Sequence, residues 1–435
     1  MTRFGFTRQE ISWILYDVGN SAFVLVIMTT LMPIFFKEIA ASQMPEATST
    51  AYWGFANSGA ALILALLAPV LGTFADYQGK KIRFFTTFLV IGLFFNLLLP
   101  FIGAGDWLLC LLFYISARVG WSGANLFYDA FIVDVTTPDR MDRISAHGYA
   151  WGYIGGVIPF VVVIGLIMSA PAASSNGLPA DATRIGFLIV AAWWLIFSIP
   201  IIRNVRQRHF IAPVDHPVSA GLRRLWRTFK NIRAHKQSFL FLIAYFFYID
   251  GVDTIIVMSA AYGRDLGFGI GQLIGVILFI QIIAFPFALL YGRLAFRFSP
   301  KAMLLAGIAV YFVITLLAFF LPDIADQQNR VMVFWLIAFL VGSSMGGIQA
   351  ISRSFFARLI PPECSAEFFG FYNVFGKFAA ITGPFLMGFV GMLTGHSRWG
   401  VLSILLLFVV GALLLMKVDA PDGFPAPSPD RISQD

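Results

Sequence analysis

Apolar stretches of bilayer length recur twelve times along this chain, and no water-soluble packing can absorb that many. They fall at roughly 10–36, 51–75, 82–104, 107–136, 143–170, 183–203, 237–262, 270–296, 301–321, 330–359, 366–393 and 398–417. A helix needs about 20 apolar residues to cross the hydrocarbon core. Within lipid every backbone N–H and C=O must be satisfied inside its own segment, so the stretches are expected to be transmembrane α-helices. Hydrophobic residues make up 59% of the chain and charged residues 12%, against about 25% charged in a soluble domain. Short polar turns separate most stretches, and what lies outside them is too short for a soluble domain. Residues 2–10 are too polar, and the run after them too long, for a cleavable signal, so the first span is expected to stay in the protein.

The net charge of +7 follows topology and does not point to nucleic acid. Of the Lys and Arg outside the spans, Lys37, Arg184, Arg264, Arg330 and Arg398 fall on one side and all the others on the other. This asymmetry predicts an inner- or plasma-membrane protein with both termini in the cytoplasm. The long connector 204–236 is basic. Leu222, Leu225, Trp226 and Phe229 interleave there with Arg223, Arg224, Arg227 and Lys230, which suits an amphipathic helix on anionic lipid at the cytoplasmic face. The proline-rich residues 418–435 read as a disordered tail.

The chain also repeats itself. The hinge Gly72-Thr73-Phe74-Ala75-Asp76-Tyr77-Gln78-Gly79-Lys80-Lys81 is echoed by Gly292-Arg293-Leu294-Ala295 and Lys301. Pro138 and Gly152 stand 224 residues before Pro362 and Gly376. Two six-helix bundles are therefore expected: 1–203 and 237–417, joined by 204–236 and related by an axis along the membrane normal. Such a duplication lets a central site face either side of the bilayer.

Charge inside a span is costly, so its placement signals function. Spans 3, 6, 9 and 12 carry none away from their ends. Span 1 carries Asp17 and Asn20. Span 4 carries Arg118, Asn125 and Asp129, and span 7 Asp250 and Asp253. Span 10 carries Gln349 and Arg353, and span 11 Asn373 and Lys377. Spans 1, 4, 7 and 10 are expected to line a polar pathway while 3, 6, 9 and 12 face lipid. Arg118, Ser122, Asn125 and Asp129 share one face of span 4 by helical spacing. Asp129 and Arg353 each lie nine residues before a pseudo-equivalent proline and carry opposite charge. Asp17 and Asp129 are expected to meet Arg353 when the inner side is shut; the alternative is pairing within each half.

Arg118 can receive a substrate carboxylate as a forked donor. Asp250 or Asp253 can take an ammonium or a coupling proton, unless Lys377 neutralises one of them. Gly72, Asp76, Gly79, Lys80 and Lys81 form a conformational motif, with Asp134 as its expected partner. Trp193 and Trp194 read as lipid-facing or interfacial anchors, and Phe246, Phe247, Tyr248, Phe355 and Phe356 as cavity aromatics. No nucleotide-binding loop is present. The two cysteines, Cys110 and Cys364, lie on opposite sides and no Cys/His group has metal spacing. No cofactor, metal or catalytic residue is expected.

The Gly72–Lys81 hinge resembles the signature loop of the major facilitator superfamily at Gly72, Asp76, Gly79, Lys80 and Lys81. Four blocks are similar to the vacuolar amino-acid effluxer-like group, whose bacterial branch is called the unknown major facilitator family. They are Tyr16-Asp17-Val18-Gly19-Asn20-Ser21-Ala22-Phe23; Gly148 to Gly156; Ala244 to Val252; and Gly346 to Ser354, with Glu367-Phe368-Phe369-Gly370 and Gly376-Lys377-Phe378. The resemblance implies the major facilitator fold and alternating-access transport, with export of neutral amino acids from a vacuole as the eukaryotic precedent.

The sequence reading is thus an all-α, twelve-helix membrane protein acting as a secondary active or facilitative transporter of a small polar or zwitterionic solute. Proton coupling is open, and a monomer suffices for one pathway. Proton-driven efflux of an amphipathic compound, or a non-transporting scaffold or sensor, is the alternative; saturable flux in proteoliposomes separates them.

Overall fold

The structure, a computed structural model, describes residues 5–170, 179–212, 221, 223–226, 228, 235–265, 267 and 270–419. Among these, twelve helices are long and apolar enough to cross a membrane. They are α1 Arg8–Ala40, α2 Thr48–Ala75, α3 Lys80–Phe101, α4 Trp107–Ala130, α5 Met141–Ser169, α6 Ala180–Asn204, α7 Lys236–Ser259, α8 Gly275–Phe298, α9 Pro300–Asp323, α10 Gln327–Leu359, α11 Pro362–Thr394 and α12 Ser397–Met416. Their order matches the twelve apolar stretches. The tail residues 420–435 lie outside the described residues, as do Leu222, Arg227, Phe229 and Lys230 of the expected connector helix; residues 223–226 and 228 of it are helical.

Local chemistry sets several boundaries. Thr7 accepts the Glu10 N–H (3.1 Å) while the Glu10 carboxylate accepts the Thr7 N–H (2.7 Å), a reciprocal cap that starts α1. The Asp326 carboxylate caps α10 by accepting the Asn329 N–H at 2.8 Å. The α2–α3 hinge turns at Gly79, whose φ of 67° lies in the left-handed region where side chains are costly. Helix α4 stops at Ala130, short of the expected 136, and a separate helical turn Ile132–Val135 follows. Inside α1 the backbone widens to π-helical turns over Phe23–Leu31, where the Thr29 and Thr30 hydroxyls donate to carbonyls five residues back.

The first six and last six helices pack by the same plan. Helix α1 lies on α5 and α6 as α7 lies on α11 and α12, and α4 lies on α2 and α3 as α10 lies on α8 and α9. Two pseudo-equivalent seams join the halves, α2 against α11 and α5 against α8. Both termini of the described chain lie at one end of the bundle, here called the terminal face. The α2–α11 seam is tight there: a Cβ on Gly72 would stand 2.2 Å from the Ala366 carbonyl oxygen, and one on Gly370 2.7 Å from that of Ala68. Farther from this face, a Cβ on Gly59 of α2 or Gly388 of α11 would meet nothing within 4 Å. The halves are therefore closed together at the terminal face and splayed at the other.

Helices α3, α6, α9 and α12 carry exposed apolar side chains such as Val90, Ile196, Val313 and Leu413. Trp194 corrects one expectation. It is fully buried against Phe23, with centroids 5.4 Å apart, in space left by Gly92. Trp193 is half-buried and donates to the Val18 carbonyl at 3.0 Å. An indole filling a gap between helices excludes a void, and that packing outweighs an interfacial position.

Candidate functional site

At the centre of the bundle Arg353 of α10 reaches across to the first half. Its guanidinium lies 3.0 Å from Asp129 of α4 and 3.6 Å from Asp17 of α1. It donates to the Ser145 hydroxyl (3.0 Å) and carbonyl (3.1 Å) of α5. Trp13, Tyr128 and Tyr149 face it with ring centroids 4.5, 5.3 and 4.5 Å away. One guanidinium against two carboxylates and three rings is 2% exposed, a cost its partners must offset. Gly148 makes room, since a Cβ there would stand 2.6 Å from the Asp17 carboxylate and 3.0 Å from the guanidinium. Tyr128 donates to Asp17 (2.7 Å), and Asn20 donates to it at 2.9 Å. The Asn20 side-chain oxygen Oδ1 in turn accepts from Trp121 (3.2 Å) and Asn125 (3.4 Å).

Nearer the terminal face the seams carry two further clusters. On one side Arg358 of α10 forks onto Asp142 of α5 at 2.7 and 3.0 Å, and the Ser354 hydroxyl donates to the same carboxylate. On the other, both Asp76 oxygens accept backbone N–H groups at the start of α11, Ala366 at 2.9 Å and Glu367 at 3.0 Å. Arg224 of the connector joins them, 2.8 Å from Glu367 and 3.5 Å from Asp76. Lys81 binds Asp134 (2.7 Å) and the Ser365 hydroxyl (2.7 Å). Asp134 also accepts the backbone N–H groups of Arg208 and His209, both at 2.8 Å, so the connector straps onto the hinge. Lys80 and Gly79 of the motif stay exposed. Arg224 itself is not turned to lipid: two buried acids bind it, and a short, dry ion pair is a stronger claim on a cation than a hydrated headgroup.

Among the described residues the charges at this seal do not balance. Asp76 and Glu367, both fully buried, share one guanidinium because Asp134 engages Lys81. Burial pushes the Asp76 carboxyl up to about 7, although Arg224 and Lys81 pull it down. Burial opposes ionisation of Asp134 too, but Lys81 and His209 outweigh it and hold that carboxyl below its usual range. A carboxyl raised in the sealed arrangement and solvated in an open one takes up a proton on sealing. Sealing therefore has this contribution in full only below about pH 4, the ordinary carboxyl range, and loses it as pH rises to about 7. The native Cys364, buried beside this cluster, is the reporter. In a Cys110→Ser background its labelling by a polar maleimide, normalised to denatured protein, should accelerate severalfold between pH 6 and 8. Asp76→Asn should flatten that slope; an unchanged slope would count against Asp76.

Toward the splayed side lie Arg118, Asn125, Asp129, Asp253, Gln349, Asn373 and Lys377, all half-buried. The Tyr153 hydroxyl donates to Gln349 at 3.3 Å across the halves, and Asn373 is held by the Phe369 carbonyl at 3.0 Å. Arg118 donates to the Asn57 side-chain amide oxygen of α2, which also accepts from Tyr114 at 3.0 Å. Lys377 stands over the Trp121 ring at 5.4 Å, and the charges acting on it are Arg118, Asp253 and Asp129. Among the described residues no opposite charge lies within 4 Å of Arg118, Lys377 or Asp253.

Lys377 thus pairs with neither span-7 aspartate. Asp250 leaves the expected pathway: it is fully buried, accepts the Gly383 N–H at 2.7 Å and fastens α7 to α11. A buried carboxylate needs donors, and the helix beside it supplies one. Tyr248, Phe355 and Phe356 are likewise buried in the core, whereas Phe246 lines an open recess of about 360 Å³ with Val374, Phe375, Phe378 and Thr382.

Sequence reasoning missed Asn57, Ser145, Asp142, Arg358 and Glu367. Asn57 had a signal, a lone amide inside an apolar run. Arg358 also had one, standing 224 residues after Asp134 as Arg353 does after Asp129. Glu367 and Asp142 sit at helix starts, where an acid is ordinary and gives no signal.

Residues 44–426 match the family model described as vacuole effluxer Atg22 like. An uncharacterized MFS-type transporter, YxiO of Bacillus subtilis (strain 168), is 47% identical over 414 residues, covering 95% of each chain. Autophagy-related protein 22 of Coccidioides immitis (strain RS) is 30% identical over 64% of this chain and 49% of its own length. That of Saccharomyces cerevisiae (strain ATCC 204508 / S288c) is 26% identical over 66% and 59%. The chain therefore spans about half to three-fifths of these fungal relatives. Among solved structures, the transporter FucP in the outward conformation superimposes with a TM-score of 0.71 at 15% identity, covering 95% of this chain and 98% of FucP. The proton:xylose symporter XylE does so with 0.71 at 13%, covering 94% and 95%. The fold is thus the major facilitator fold, and the chain belongs to the Atg22-like family of multi-pass, MFS-type membrane transporters.

Proposed function

We propose that this protein moves a small zwitterionic, amino-acid-like solute by alternating access, with the terminal face in the cytoplasm. The observation that carries this reading is the trio Arg118, Lys377 and Asp253. Two cations and one acid stand half-buried on both sides of the splayed space without an ionic partner within 4 Å among the described residues. Charges left unpaired at that depth call for a ligand that completes them. A carboxylate accepts the Arg118 and Lys377 donors, and an ammonium binds Asp253. The excess of basic residues on the terminal side supports the cytoplasmic assignment. The family description, vacuole effluxer Atg22 like, is consistent with moving a solute across a membrane.

Sealed ion pairs on the terminal side and splayed helices on the other fit one end state of alternating access. Exchange to the other requires Arg353, Arg358 and Asp76 to give up partners across the seams. Coupling to protons is assigned to Asp253, which the solute's ammonium and a proton would occupy in turn. The Phe246–Phe375–Phe378 recess favours, as a second reading, efflux of an amphipathic cation held by aromatic faces.

Proteoliposome counterflow with a panel of neutral amino acids tests the proposal. Saturable exchange is expected, with Arg118→Gln raising KM at least tenfold, the loss of one charge-assisted pair. A panel without saturable exchange would sink it, and exchange of organic cations alone would favour the second reading. An imposed proton gradient should drive uptake in the wild type and not in Asp253→Asn.

A further inference from the structure

Arg143, His147 and Trp151 follow at four-residue spacing down α5 and so share one face. That face borders α8, where Phe285 meets Trp151 edge-on with centroids 5.3 Å apart. Nearer the terminal face the two helices approach at Gly292, where a Cβ would stand 2.5 Å from the Ala146 Cβ and 3.6 Å from the Arg143 Cα. The next residue is Arg293. One guanidinium from each half of the protein therefore comes to the same stretch of the seam. Both are exposed, and they are the charges acting on the His147 ring.

The neighbouring acids are committed elsewhere. Glu10 binds Arg140 at 2.8 Å and Asp142 binds Arg358 at 2.7 Å. Among the described residues no carboxylate lies within 4 Å of Arg143 or Arg293. The His147 Nδ1 is buried and has no hydrogen-bond partner there. Phe6 walls the spot, its ring 4.8 Å from the His147 ring and 4.7 Å from the Arg143 guanidinium. Deeper in the membrane the same seam is apolar, with Trp151 and Ile282 exposed.

Two like charges brought together across a seam repel, and at the edge of the hydrocarbon water screens them poorly. An anion between them turns that repulsion into a tie. We propose that the α5–α8 seam binds an anionic phospholipid of the terminal-face leaflet, its phosphate bridging Arg143 and Arg293 and its acyl chain lying over Trp151. Guanidiniums take phosphate oxygens through paired N–H groups, and His147 offers a third polar contact. Because the two cations belong to different halves, the lipid holds the terminal face shut.

Thermal unfolding of the purified protein, titrated with phosphatidylglycerol, phosphatidylcholine or inorganic phosphate, tests this. Phosphatidylglycerol should raise the Tm saturably, and the other two should not. Arg143→Gln and Arg293→Gln should each raise the half-saturating lipid concentration about fivefold, the size expected for one basic residue at a membrane surface. The double variant should lose most of the response, and the paired Lys variants should keep it. Lys417→Gln, an exposed cation at the end of α12 outside the seam, should respond as the wild type does. Phosphatidylglycerol should also slow Cys364 labelling. A wild-type response in the glutamine variants would overturn the site, and an equal response to phosphate would make it a free-anion site. Equal Tm gains from phosphatidylcholine would remove the role of charge. Should the double variant not fold, the single substitutions decide.

Discussion

Arg353→Gln should abolish exchange in proteoliposomes and destabilise the sealed arrangement by about 3–5 kcal/mol, the cost of removing one member of a buried ion pair. The size follows from what is left behind. Asp17 and Asp129 would face each other across α1 and α4 without the cation that both contact. The Ser145 carbonyl and three aromatic faces would lose their cation as well. Glutamine keeps some volume and one donor pair but no charge. Three readouts distinguish a gate from a bolt. Flux should vanish, Tm should fall and Cys364 should label at least tenfold faster, because the group that spans the halves is gone. A variant that still folds, does not transport and labels at the wild-type rate would show that Arg353 only fastens its surroundings. Asp129→Asn should give the same pattern more weakly, since Asp17 remains to pair with Arg353.

Gly72→Val should trap the protein away from the sealed state without touching the polar pathway. A Cβ at this position would stand 2.2 Å from the Ala366 carbonyl oxygen and 2.6 Å from its carbon. Those are backbone atoms at the start of α11, held there by Asp76, so no side chain can swing aside. The seam must open to admit the new atoms, and Asp76 then loses the N–H groups of Ala366 and Glu367. The six helices on either side keep their own packing, so the variant is expected to fold. Exchange should fall about 100-fold, Cys364 should label fast at every pH, and solute affinity measured by Tm shift should persist. Wild-type labelling would mean that α2 and α11 separate less easily than the proposed cycle demands.

Much of this architecture was legible because lipid imposes one rule. Apolar length sets each helix, and the 224-residue offset exposes the doubling before any contact is known. The opposition of Asp129 and Arg353 followed from that offset alone, and the two side chains do touch, at 3.0 Å. Partner choice was less legible. Asp250 and Asp253 look alike three residues apart, yet one is sealed against Gly383 and the other is half-buried. Three residues turn a helix by most of one revolution, and the facing helix, not the spacing, decides which acid is enclosed. Arg224 could be read as a lipid contact only while Asp76 and Glu367, hundreds of residues apart in the chain, were not known to meet.

Segment length, charge asymmetry and internal repetition are properties of the chain itself, and they determined twelve spans, the doubled plan and part of the roster of buried charge. Which charge neutralises which, which cations stay unpaired toward the splayed side, and which end of the bundle is shut were decided only by tertiary structure. Coulomb and hydrogen-bond energies depend on a few ångströms between helices distant in sequence, and no local pattern encodes that separation.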